Sequence, residues 1–255
     1  MATLIDGLLE THLTNYLPQN LQKNVDRPFV TLTYAQSLDS RIAAQPGERT
    51  AISHQETKTM THYLRSKHDA ILVGVGTVLA DDPKLNCRYK KAFSFQSKAS
   101  TIKPVIIDPK AKWKYLNSQL HQLVKSGEAE APYIVIDQNT TLSDEETNCL
   151  KACGGNYIVL PLLGKSNVDQ WNLILKALKD LDIKSVMIEG GARVINDLLK
   201  IQAREYKIID SLVITIGPVF LGKDGVEVSP VSSLDLRFVR WWSGGRDSVL
   251  AALPN

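Results

Sequence analysis

The sequence predicts an α/β fold: a mostly parallel central sheet with flanking helices, closing on a C-terminal antiparallel hairpin. Two patterns predict it. From residue 70 to about 200, short apolar runs alternate with helical patterns, which is how buried parallel strands and their crossovers read. After residue 211 three strand-like runs follow one another with no helix between, which calls for antiparallel pairing.

The elements follow in order. Ile5, Leu8, Leu9, Leu13 and Leu17 lie at helical spacing, predicting an amphipathic helix over 3–17 that Pro18 ends. A polar connector over 20–27 leads to PFVTLTYA (28–35), a strand by its β-branched and aromatic content. Residues 37–50 read as a long loop with a Pro46-Gly47 turn. Ser53 with Glu56 three residues on predicts a capping box and a helix to about Lys67. AILVGVG (70–76), PVIID (104–108), YIVID (133–137), YIVL (157–160) and SVMIE (185–189) read as strands. Helices are expected near 117–125, 143–152 and 168–180, and again from Gly190-Gly191 into ARVINDLLK. The closing strands are expected over 211–222, 236–242 and 248–253. No linker interrupts this, so 27–255 reads as one domain preceded by the helix and connector of 1–26.

Composition narrows the class. Of 255 residues, 44% are hydrophobic and 22% charged, which excludes a wholly disordered chain. No run of 18 apolar residues predicts a membrane span, and the first residues, with Asp6, Glu10 and no Lys or Arg, lack a secretory pattern. Three cysteines, Cys87, Cys149 and Cys153, are too few and odd for a disulfide framework and point to a reducing, cytoplasmic setting. A net charge of +3 is too weak to call for nucleic acid. The stretch from Lys84 to Lys114 holds eight Lys and Arg88 against the single acid Asp108. It reads either as a solvated loop or as a rim attracting phosphorylated small molecules; Phe93 and Phe95 within it carry no RNA-binding signature.

Three segments carry candidate chemistry. In LVGVGTVLADDPKLNCR (72–88) a strand delivers Gly74 and Gly76, whose backbone suits close approach to a phosphate. Leu79 stands where a dinucleotide fingerprint needs its third glycine, so that motif fails, and no P-loop is present. Asp81-Asp82-Pro83 reads as a Mg²⁺ pair or as turn chemistry, with the turn favoured for Asp82. In SVMIEGGARVINDLL (185–199) Glu189 ends a strand where α/β sheets bind ligands, and Gly190-Gly191 opens a helix. In TYAQSLDSRIA (33–43) Asp39 either meets a heterocycle edge or orients the loop. None of the five histidines sits in HExxH or a zinc spacing, and neither a deaminase signature nor a GxSxG elbow occurs, so no metal is expected.

In order and spacing, RPFVTLTYAQSLDSRIA, ILVGVGTVLADDPKLNCR and VMIEGGARVINDLL, followed by ITIGPVFLG, resemble the riboflavin-biosynthesis reductase family over roughly residues 27–253. The resemblance implies a dihydrofolate-reductase-like fold, NADPH as cofactor with NADH possible, no metal, and a homodimer; VITIGPVFLG is apolar enough to lie at such an interface. It implies reduction of the ribosyl side chain of a phosphorylated diaminopyrimidinone to the ribityl form. Thr77, Asp81, Ala35 and Ala51, with Gly190, Gly191, Ala192, Arg193, Val194 and Ile195, then match cofactor-contacting positions, and Arg193 is a candidate for a 2′-phosphate. Arg65, Leu85, Arg88 and Arg49 match substrate positions. Glu189 and Asp39 are the candidate catalytic acids, holding pyrimidine amino groups or delivering a proton. A pteridine reductase of the same fold and a non-catalytic nucleotide-binding protein are the alternatives.

Overall fold

The computed structural model describes residues 5–21, 26–89, 101–204 and 206–255. Lys90, Lys91, Phe93, Phe95 and Lys98 of the expected basic rim lie outside them. The first helix, α1 (Gly7–Leu13), runs into a single 3-10 turn over Thr14–Tyr16. It begins later than the apolar spacing suggests because Asp6 caps it, its carboxylate accepting from the amides of Leu8 and Leu9 at 2.8 and 3.1 Å. Then come β1 (Phe29–Gln36), the short β2 (Arg41–Ala43), α2 (Gln55–Arg65), β3 (Ala70–Gly74), α3 (Val75–Asp81), β4 (Lys103–Ile107), α4 (Gln119–Lys125) and β5 (Tyr133–Asp137). The chain continues through α5 (Asp144–Ala152), β6 (Asn156–Leu160), α6 (Asn167–Asp180), β7 (Ser185–Gly190), α7 (Ala192–Gln202), β8 (Ser211–Ile216), β9 (Val226–Glu227), β10 (Leu236–Ser243) and β11 (Ser248–Pro254).

The main sheet has the order β10-β11-β8-β1-β7-β3-β4-β5-β6. From β8 to β6 every neighbour is parallel; β11 runs antiparallel to β8, and β10 antiparallel to β11. The expected parallel sheet and closing hairpin are thus observed. Alternation along the central strands builds a core on each face. Leu72, Val105 and Ile188 pack under α6 and α7 with Trp171, Leu178 and Leu198. Ile71, Val73 and Ile106 face Val78, Leu120 and Leu150, while Met187, Val213 and Val249 meet Leu9, Leu13, Met60 and Leu64. The N-terminal helix therefore shares a core with α2 and the last strand.

Two local expectations are corrected. The loop over 37–50 contains β2, which pairs with β9 as a separate ribbon. The capping box at Ser53 does not form. The N-cap of α2 is His54, with no capping side chain of its own. Instead Asp247, from the turn between β10 and β11, accepts from the His54 amide at 2.6 Å and the Thr57 hydroxyl at 2.5 Å. Glu56 reaches the Gly245 and Arg246 amides rather than its own N-cap.

Candidate active site

The chain leaves β1 for β3, builds outward to β6, and returns to lay β7 between the first two. Neighbouring strands there send their connections in different directions, which opens a crevice at their carboxyl ends. A cavity of about 860 Å³ occupies it. Its wall holds Ala35 from β1, Arg65 from α2, Thr77 and Asp81 from α3, Leu85 and Arg88 from the segment after it, Glu189 and Gly191 from the tip of β7, and Ile195 from α7. Arg49, from the segment between β2 and α2, joins them.

Glycine is required where β7 ends. Gly190 has φ +117°, and an added Cβ would lie 3.0 Å from Ile195 Cδ1. A Cβ on Gly191 would lie 3.0 Å from Thr77 Oγ1, so the strand tip and α3 nearly touch across the cavity wall. Gly74 plays the matching part on β3, its would-be Cβ 3.0 Å from Val194 Cγ2 of α7. The Gly190–Gly191 peptide is cis.

Charge in the cavity is organised around Arg65. Its Nε and Nη2 donate to the two oxygens of Glu189 at 2.7 Å each, and Nη1 donates to the Asn86 carbonyl at 2.8 Å. The side chains are only 12% and 18% exposed, so this is a buried, bidentate pair. Burial alone would lower the Arg65 pKa, but the Glu189 charge and hydrogen bonds outweigh it and hold the guanidinium ionised. One turn away, His62 has its pKa pushed down to about 3 by burial and by the charges of Arg65 and Arg88. Both ring nitrogens face Arg88, Nε2 at 2.8 Å from Nη2 and Nδ1 at 3.3 Å from the amide, and the shorter contact assigns the neutral ring's lone pair to Nε2. Tyr34, also on the wall, has its phenol pKa raised by burial.

The other expected positions lie elsewhere. Asp39 is off the cavity wall. Its carboxylate accepts from the Ser37 hydroxyl at 2.5 Å and from the amides of Leu221 and Gly222 at 3.1 and 2.7 Å. These hydrogen bonds, Ser37 first, hold its pKa down at about 2. Ala51 is exposed between Thr50 and Ile52, which do line the cavity. In α7, Val194 is buried in the core, Ala192 packs beside it, and Arg193 points outward, 90% exposed, with Asp197 3.9 Å away. Gly190 lies behind the wall at the tip itself. Asp82 takes the turn role: it is the left-handed C-cap of α3, and its carboxylate accepts from the Gln119 amide.

Lys58, Thr61 and His62 were not singled out from the sequence, yet with Arg65 they form one polar stripe of α2 along the cavity. Their spacing of three and four residues was the available signal. Away from the cavity, and among the described residues, His121, Cys149 and Cys153 bring their ligating atoms within 4.8 Å of one another. The Asn117 amide donates to His121 Nδ1 at 3.0 Å, so Nε2 carries the ring proton toward Cys149 Sγ and offers no lone pair to a cation.

A family model described as the RibD C-terminal domain matches residues 28–250, and the chain belongs to that family. It is 56% identical over 245 residues to the 2,5-diamino-6-ribosylamino-4(3H)-pyrimidinone 5′-phosphate reductase of Debaryomyces hansenii, covering 96% of this chain and 95% of that one. The reductase of the same name from Saccharomyces cerevisiae is 44% identical over 246 residues, covering 96% and 94%. Among solved structures, the riboflavin biosynthesis reductase Rib7 of Saccharomyces cerevisiae aligns with a TM-score of 0.78 at 40% identity, over 97% of this chain and 99% of that one. RibD of Acinetobacter baumannii shares the fold, with a TM-score of 0.71 at 20% identity over 91% of this chain and 59% of that one.

Proposed function

We propose that this chain reduces the ribosyl side chain of 2,5-diamino-6-ribosylamino-4(3H)-pyrimidinone 5′-phosphate to its ribitylamino form, using NADPH. The observation that carries the reading is the meeting of Thr77, Gly191 and the Arg65–Glu189 pair on one cavity wall. The reductases named for this reaction in two fungi match nearly the whole chain.

The wall suits a dinucleotide. The space that a Cβ on Gly191 would fill beside Thr77 stays open, and α7 begins with no capping side chain, leaving its first amides available to an anion. Thr77, Asp81 and the Gly191–Ile195 turn would hold the cofactor, and bound NADPH supplies the hydride. Ring opening of the substrate's ribosylamine gives an imine; its C1′ is the atom reduced, and its nitrogen takes a proton. Glu189, fixed by Arg65, presents carboxylate oxygens to the pyrimidine's amino groups. Arg88 and Arg49 offer positive charge to the phosphate. Asp39 orients the turn between β1 and β2 against residues 221–222.

The reading includes a cytoplasmic homodimer. The sparse cysteines, none in a disulfide, support the first, and Phe220, 72% exposed on the 211–222 stretch, supports the second. The test is the loss of NADPH absorbance at 340 nm with the diaminopyrimidinone phosphate. Turnover is expected with that substrate. Oxidation of NADPH by a dihydropteridine alone would overturn the assignment.

A further inference from the structure

Three arginines on the cavity wall match substrate positions, and the guanidinium of Arg65 alone is already engaged by an acid. Arg65 already donates from all three nitrogens, two to Glu189 and one to the Asn86 carbonyl. Turning it toward a phosphate would strand the Glu189 carboxylate in a buried site. Arg88 is exposed at the cavity and has no acidic partner among the described residues. Its fixed contacts are all with His62: Nε2 lies 3.2 Å from Nε and 2.8 Å from Nη2, and Nδ1 lies 3.3 Å from the Arg88 amide. A neutral ring accepts at one nitrogen only, and the two shorter contacts assign its lone pair to Nε2. Lys58, Lys84 and Arg49 also line the cavity, and among the described residues none of their side chains makes a hydrogen bond or ion pair.

We propose that His62 is a positioning residue: its imidazole holds the Arg88 guanidinium over the cavity, so that Arg88 rather than Arg65 meets the substrate's phosphate. The inference rests on the reductase reading above. A long, exposed arginine otherwise samples many rotamers, and holding it in one geometry before the ligand arrives removes that ordering cost from binding. A neutral imidazole suits this better than a carboxylate. It accepts from the guanidinium without cancelling its charge, so the full positive charge stays available to an anion. Burial and the two neighbouring guanidiniums keep the ring unprotonated throughout the neutral range. The helix fixes the ring in turn: His62 sits one turn after Lys58 on the cavity stripe of α2, and its carbonyl accepts from Cys87 Sγ beside Arg88.

Steady-state kinetics on His62→Leu, His62→Gln, Arg88→Ala and the His62→Leu/Arg88→Ala double variant test this. His62→Leu is expected to raise KM for the phosphorylated substrate about tenfold, leaving kcat and KM for NADPH within about twofold. His62→Gln, whose amide oxygen can accept from Arg88, is expected to recover most of the loss. The double variant is expected to be no worse than Arg88→Ala alone, because His62 acts only through that side chain. An unchanged substrate KM in His62→Leu, alongside a raised one in Arg88→Ala, overturns the role of His62 while sparing the reading of the cavity. Equal losses in the presence and absence of Arg88 overturn it too. An unchanged KM in Arg88→Ala overturns the inference together with the phosphate assignment on which it rests.

Discussion

At the tip of β7, Glu189 faces a guanidinium inside the cavity; in the loop after β1, Asp39 faces backbone amides outside it. Glu189 lies at the end of one central parallel strand and Asp39 just beyond another, and both read from sequence as candidates for the chemistry. The difference lies in what satisfies each charge. Arg65 matches Glu189 with two parallel hydrogen bonds in a site that a ligand can share. Asp39 is matched by two main-chain N–H groups and a hydroxyl, which pins residues 221–222 against the loop and leaves no oxygen facing the cavity. An acid at a strand end thus declares its role through its partners, and here those partners lie 124 and 182 residues away.

The sharpest way to break this comparison is Arg65→Leu. It leaves the Glu189 carboxylate buried without its partner, and a fall in unfolding free energy of about 3–5 kcal/mol is expected. An unaltered urea midpoint would show that the pair carries no such weight. Gly190→Ala comes next. It forces a side chain onto φ +117° with a methyl 3.0 Å from Ile195, and a cost of about 1–3 kcal/mol is expected, with a raised KM for the cofactor. Asp39→Asn has the smallest effect, and its pH dependence distinguishes the two regions. A carboxyl held at about 2, below its ordinary 3.8, stabilises the fold above about pH 4 and stops doing so as pH falls through 2. The gap in urea midpoint between wild type and Asp39→Asn should therefore be present at pH 7 and close toward pH 2. A gap that persists at pH 2 would sever Asp39 from the loop contact.

Most of the fold was legible because it is written in local patterns. Buried parallel strands are short apolar runs, and SVMIE entering Gly190-Gly191 announced both a strand end and a helix start. What escaped notice depends on contacts between distant segments. Nothing near Ser53 indicates that Asp247 caps α2, and nothing near Arg41 indicates the Val226 strand that pairs beside it. The site divides the same way. Thr77 and Gly191 reach one wall because each opens the helix that follows a central strand, which sequence reveals. That Arg65 is occupied while Arg88 is held by a histidine depends on side-chain packing across α2 and the 84–88 segment, which sequence does not reveal.

Asp247 ties the final two strands to the cavity although it lines no part of it. The helix it caps carries Lys58, His62 and Arg65, and Glu56 of the same helix reaches back to the same turn. In hydrogen exchange, α2 and the β10–β11 ribbon should therefore open as one cooperative unit. A proteolytic nick in that ribbon would loosen the α2 wall of the crevice while leaving the Thr77 side closed.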